Sequence, residues 1–292
     1  MFADTTKKYD KLISLDGEFA KQDFNNELLQ HRDVDIRLKP LYKFNIKNPD
    51  KEIMALDNPY ESKAMDSFVA KVDIPIELSA AKKGYELNTS MHLQEIERKL
   101  ADKSLSEAEL AKLNFAKGII EAEDNRFNSA LEYYDKSIEK EPEQTFYYIN
   151  RGALQSEIID FISSIESNVQ ILTLDNSGAA RARVHDRGSM SYDYTPAIHD
   201  MTKAMNLYPD FPFVYYNLGN LYCLSGDLPE SINQYTKALE LYPKLAEAYF
   251  NRGLVLIYLK DNEKGCLDLS KAGELGVSDA YTVIKKYCLE EE

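Results

Sequence analysis

The chain has 292 residues, of which 44% are hydrophobic and 29% charged, and a formal net charge of −14. That length and composition suit a folded protein with a sizeable core, and 12 Gly with 10 Pro are too few for a low-complexity chain. The acidity excludes a nucleic-acid backbone as the natural partner, because phosphates would be repelled. Residues 109–292 carry 29 of the acidic side chains against 18 basic ones, so the charge belongs mainly to the C-terminal part.

No apolar run approaches the roughly 18 to 20 residues that a membrane-spanning helix needs. The start, MFADTTKKYDKLI, shows no apolar leader. A cytoplasmic address is expected on that ground, with a periplasmic or exported one as the alternative if the chain is a mature or truncated form.

Residues 1–106 form the first expected region. Val34, Ile36, Leu38, Tyr42, Phe44 and Ile46 fall at even spacing, and Val72, Ile74, Ile76 and Leu78 alternate with polar or proline positions. Period two reads as strand, so a small antiparallel pair packed on the first helices is expected. Residues 90–103 read as a helix with Met91, Leu93, Ile96 and Leu100 on one side. Ser106 followed by Glu109 spells a capping box.

From residue 107 onward the chain repeats. Gly118 and Gly152 are 34 residues apart, and so are Gly219 and Gly253. An aromatic stands four residues before the glycine at Tyr148, Tyr215 and Tyr249. Sixteen residues after a unit's glycine, or at the matching place beyond the interruption in the second unit, stand Tyr134, Met201, Tyr235 and Leu269. Small residues flank these at Ala130 and Ser137, Ala197 and Ala204, Ser231 and Ala238, Gly265 and Ala272. Pro142, Pro209 and Pro243 close units, because proline cannot continue a helix. Each unit therefore reads as two helices, with glycine where they approach most closely.

The second unit departs from the pattern. Leu154, Ile158, Ile162, Ile165 and Val169 continue one apolar stripe, and residues 153–174 contain no Gly or Pro. One long helix from about Thr145 to Gln170 is expected, followed by an insertion near 171–191 and then the missing second helix. A degenerate extra repeat is the rival reading. The tail 278–289 reads as a capping helix over the last apolar face.

This pattern resembles the tetratricopeptide repeat family over about residues 107–276. The run Gly265–Gly276 further resembles the final repeat of a group of bacterial members, many of them exported. The family's tryptophan is missing from every unit, and Gly276 stands in place of the last closing proline. The resemblance implies a mainly α fold, a right-handed helical solenoid across 107–292, beside the small N-terminal antiparallel β element. It also implies a protein-interaction scaffold whose concave wall is lined by the first helix of each pair.

On that geometry the lining residues include Phe115, Ile119, Ala122 and Glu123; Ile149 and Ala153; Tyr216, Asn220 and Cys223; and Phe250, Leu254 and Tyr258. A partner-binding groove is expected at Phe115, Ile119, Ile149, Tyr216, Asn220, Phe250, Leu254 and Tyr258, taking a peptide or helix of another protein through apolar anchors. The competing expectation is that the chain's own elements, such as the N-terminal strands, cover these positions. A carboxylate clamp is not expected, because Phe115, Ile119 and Glu247 stand where basic residues would. Asn150, Asn217 and Asn251 fit the general repeat pattern.

Two further functions follow from other features. The molecule could be a structural segment of a larger repeat array or cell-envelope complex. The insertion carries Arg181, Arg183 and Arg187, residue types that suit an anion-binding loop. No catalytic residue, metal site or cofactor is indicated: the four histidines lack metal-ligand spacing, and no phosphate loop or nucleophile elbow is present. Cys223, Cys266 and Cys288 read as buried reduced cysteines, with a Cys266–Cys288 bridge as the minor alternative. The sequence leaves the oligomeric state open.

Overall fold

Glycine spacing sets the helix pairs. The computed structural model describes residues 38–46, 76–79, 89–169 and 192–288. In chain order these hold β1 (Lys43–Ile46), β2 (Ile76–Ser79), α1 (Thr89–Leu100), α2 (Glu107–Glu123), α3 (Phe127–Lys140), α4 (Thr145–Val169), α5 (Thr195–Leu207), α6 (Pro212–Ser225), α7 (Leu228–Leu241), α8 (Ala246–Tyr258), α9 (Asn262–Glu274) and α10 (Asp279–Tyr287). The fold is mainly α. The two strands pair antiparallel, with Phe44 opposite Leu78.

The sixteen-residue spacing explains the glycines. A methyl group built on Gly118 would meet the Tyr134 ring at 2.6 Å, and one on Gly219 would meet the Tyr235 ring at 2.5 Å. Gly253 faces Leu269 at 3.0 Å, and Gly152 faces Met201 at 3.2 Å and the Ala197 carbonyl at 3.1 Å. Glycine costs a helix about 1 kcal/mol relative to alanine. Here the burial of a whole ring or aliphatic side chain against the bare backbone outweighs it, at about 2 kcal/mol or more.

The turns inside the pairs are equally regular. Asn125, Gly226 and Lys260, each seven residues after its glycine, take positive φ of 59°, 89° and 66°. Asp227 and Asp261 then cap the next helix, accepting from the backbone N–H of Glu230 and Lys264. The Ser106–Glu109 capping box is formed at the start of α2. Helix α4 runs 25 residues, as the uninterrupted apolar stripe requires, and α5 supplies the second helix of that unit. The insertion itself lies outside the described residues.

Two compact units alternate along the sequence. Among the described residues one comprises 40–154 and 197–217, and the other comprises 38–39, 155–196 and 218–288, so the helical boundaries fall within α4, α5 and α6. In the first unit, β1 and α1 lie against α2, and α2 against α3. In the second, α7, α8, α9 and α10 pack in succession. The core of that end is Phe250, Leu254, Ile257, Leu269, Ala272, Ala280 and Val283, with Leu38 packed on it.

Cys266 and Cys288 are disulfide-bonded, which corrects the expectation of three reduced cysteines. The bridge ties α9 to the residue that ends α10. Cys223 is free and buried.

Candidate functional site

The residues of interest lie on the first helix of each pair, two or three positions before its glycine. Asn150, Asn217 and Asn251 each stand two before, and all three are buried. A buried amide needs partners for both its carbonyl and its NH₂. The chain's own N-terminal segment supplies them.

In the first unit, Asn217 Oδ1 accepts from the backbone N–H of Tyr42 at 2.8 Å, while its Nδ2 donates to the Tyr42 carbonyl at 2.8 Å. Asn150 does the same to Phe44, with both distances 2.8 Å. Each amide thus imitates the edge of a neighbouring strand, and reads backbone without regard to side chain. The side chains are held separately. Tyr42 lies 4.4 Å from the Phe213 ring and 5.3 Å from Tyr216, and Phe44 lies 4.1 Å from Phe146. Lys43, between them, places its Nζ 3.4 Å from Glu123 of α2. The Tyr216 hydroxyl donates to the Pro40 carbonyl at 3.0 Å.

The second unit repeats the device at Lys39. Its N–H donates to Asn251 Oδ1 at 2.7 Å, and its carbonyl accepts from Asn251 at 3.2 Å and from Asn220 at 2.9 Å. Asn220 Oδ1 accepts in turn from the Tyr235 hydroxyl at 2.6 Å and from Asn251 Nδ2 at 2.8 Å. The Lys39 ammonium bonds Asp279 and sits 4.8 Å from the Phe250 ring.

Of the groove residues expected from sequence, Phe115, Ile119, Ile149 and Tyr216 fall in the first unit, and Asn220, Phe250, Leu254 and Tyr258 in the second; all are buried. Phe115 packs at a tilt between the rings of Tyr134 and Tyr147. Tyr216, Asn220 and Phe250 meet the chain's own segment directly. Sequence reasoning missed the part played by Asn150, Asn217 and Asn251. The signal was present: N-R-G at 150–152 and 251–253, and N-L-G at 217–219, put an amide where an apolar residue would serve a plain helix contact.

The arginine of N-R-G has its own place. Arg151 makes a two-pronged pair with Asp200, both bonds 2.7 Å, and reaches Asp135 on α3 at 2.6 Å. Arg252 holds Asp268 in the same way and reaches Thr236 on α7 at 2.9 Å. Each guanidinium sits over the tyrosine three residues before it, Tyr148 or Tyr249. Each arginine thereby joins second helices of successive pairs. Pairing with Asp200 raises the affinity of Arg151 for its proton further, on a group that is charged at all ordinary pH in any case.

Arg181, Arg183 and Arg187 lie outside the described residues. Among the described residues no cluster of His, Cys, Asp and Glu is placed to hold a metal ion, and no helix is long and apolar enough to cross a membrane.

Two repeat models match the chain. One, described as TPR repeat, covers residues 219–257, and another, described as tetratricopeptide repeat, covers 201–233. The chain carries tetratricopeptide repeats across residues 201–257. Similar solved structures include the 41-end portion of MamA from Desulfovibrio magneticus RS-1, at 16% identity over 65% of this chain and 86% of that one, with a TM-score of 0.45. A thermophilic TPR protein of Thermus thermophilus matches at 16% identity over 69% of this chain and 91% of that one, also with a TM-score of 0.45. Comparison with curated protein sequences finds no match. The repeats are those of a protein-interaction scaffold.

Proposed function

We propose that this chain is a non-catalytic scaffold that receives an extended segment of a partner protein along the first helices of its repeats. The reading rests on Asn150 and Asn217, whose amides grip both polar groups of alternate residues in an extended strand. Side-chain amides on a helix have no such use toward another helix, whose backbone groups are already paired. An extended peptide, rather than a helix, is therefore the favoured ligand. The aromatic wall around Phe146, Phe213 and Tyr216 supplies apolar anchorage.

The test is selection of random peptides on the chain carrying Tyr42→Ala, which weakens the resident strand. Binders that are lost when Asn150 and Asn217 are both changed to alanine, with helical circular dichroism kept, support the proposal. Binders indifferent to both asparagines, or none at all, overturn it.

The Cys266–Cys288 bridge favours an oxidising compartment and hence the exported alternative for location. Thiol labelling of the protein in its native cells checks this: free thiols at both positions would count against export.

A further inference from the structure

Resting on the extended-peptide reading, we infer that residues 42–44 are a built-in competitor, and that the partner's segment carries an aromatic–basic–aromatic triplet in extended conformation. The reasoning divides what the site reads. Asn150 and Asn217 bond only N–H and C=O, so they accept a strand of any sequence. Selectivity must come from the side chains between and beside those bonds.

Three positions provide it. The place of Tyr42 is walled by Phe213 and Tyr216, at ring separations of 4.4 and 5.3 Å, and fits a flat ring. The place of Phe44 is set by Phe146 at 4.1 Å and again fits a ring. The intervening residue meets Glu123, whose carboxylate is 22% exposed and whose Lys43 partner is 14% exposed, so the pair is largely withdrawn from water. A neutral or acidic residue there would leave Glu123 without its nearest cation in a half-buried place, which is costly. The aromatic places contribute affinity, and Glu123 contributes choice.

The helices also hold one another through contacts in which the strand takes no part. Gly118 against Tyr134 and Gly152 against Met201 close the pairs, and Arg151 joins α3 to α5 through Asp135 and Asp200. What the strand covers is an apolar face with two buried amides, two places for rings and the Glu123 carboxylate, which another chain of the same triplet fills equally well. Because the resident strand is tethered, its effective concentration is high, and an incoming segment competes against it.

The experiment uses the full chain and a fluorescent peptide of residues 38–47, with a scrambled peptide as reference. The wild type should bind the native peptide at least about tenfold more weakly than the Tyr42→Ala, Phe44→Ala chain does, since the resident strand competes. Glu123→Lys in that double variant should weaken the native peptide about fivefold or more and favour a peptide with Glu at the central position. If Tyr42→Ala, Phe44→Ala unfolds, hydrogen exchange on the wild type replaces it. Saturating native peptide should then speed exchange of the Tyr42 and Phe44 amides while α2 and α3 stay protected.

Equal binding of native and scrambled peptides overturns the triplet while leaving the extended-peptide reading intact. So does indifference to Glu123→Lys. A folded double variant that binds neither peptide, or wild-type amides that do not respond, overturns both.

Discussion

Arg151 illustrates how much a single side chain carries here. Its guanidinium meets a carboxylate, Asp200, that is 2% exposed, and another, Asp135, that is 61% exposed. Exposed ion pairs contribute about 0–1 kcal/mol, whereas removing one partner of a buried pair costs several times as much. Asp200→Asn should therefore lower unfolding free energy by about 2–3 kcal/mol, and Asp135→Asn by about 0.5 kcal/mol or less, in urea melts. Equal losses would show that the buried bond is not the one that matters. Tyrosines give a second residue-scale outcome. Burial, reinforced by a bond to Glu141, pushes the Tyr147 phenol above its usual range, and burial raises Tyr194 as well. A group raised on folding stabilises fully below its unfolded pKa and loses that contribution as pH rises. Stability should thus be unaffected by these phenols through neutral pH and fall above about pH 10, where unfolded phenols ionise. The part of the phenolate absorbance that is lost in Tyr147→Phe and Tyr194→Phe variants should then appear together with loss of helical signal, not before it.

At the scale of elements, the last helix is the one held by a covalent bond. Helix α10 has nine residues, too few to be stable alone, and buries Ala280 and Val283 against the core of α8 and α9. The Cys266–Cys288 bridge spans 22 residues and should stabilise by about 3 kcal/mol through the unfolded chain. Cys288→Ser is expected to lower stability by that amount and to unprotect α10 first in hydrogen exchange. Thiol titration checks the pairing directly. The native chain should show no reactive thiol, since Cys223 is buried and its thiol is pushed upward by burial. Denaturation without reductant should expose one. The long helix α4 makes the complementary point, because its cause is local: beyond Gly152 no Gly or Pro stands in it to stop it at the usual turn.

For the whole molecule, charge sets how partners arrive. A chain of −14 attracts basic segments at long range and holds them more weakly as salt rises. Association of a peptide with a central lysine should slow several-fold between low and physiological ionic strength, while that of its neutral analogue stays nearly constant. Stopped-flow fluorescence distinguishes the two. A neutral analogue with the same salt dependence would remove the charge argument.

The sequence determined the helix pairs by itself, because their causes are local or strictly periodic. Gly118, Gly152, Gly219 and Gly253 meet Tyr134, Met201, Tyr235 and Leu269, at the fixed interval or its matching place after the insertion, and Ser106, Asp227 and Asp261 cap from adjacent residues. Period two also announced the strand around Phe44. Only tertiary structure decided what that strand rests on. Asn150 lies 106 residues from Phe44, and Asn217 lies 175 from Tyr42. No spacing rule joins positions so distant, since the contact depends on where folded helices present their amides. N-R-G and N-L-G marked those amides as repeated, but an amide's partner is chosen by whichever backbone reaches it with both groups unpaired.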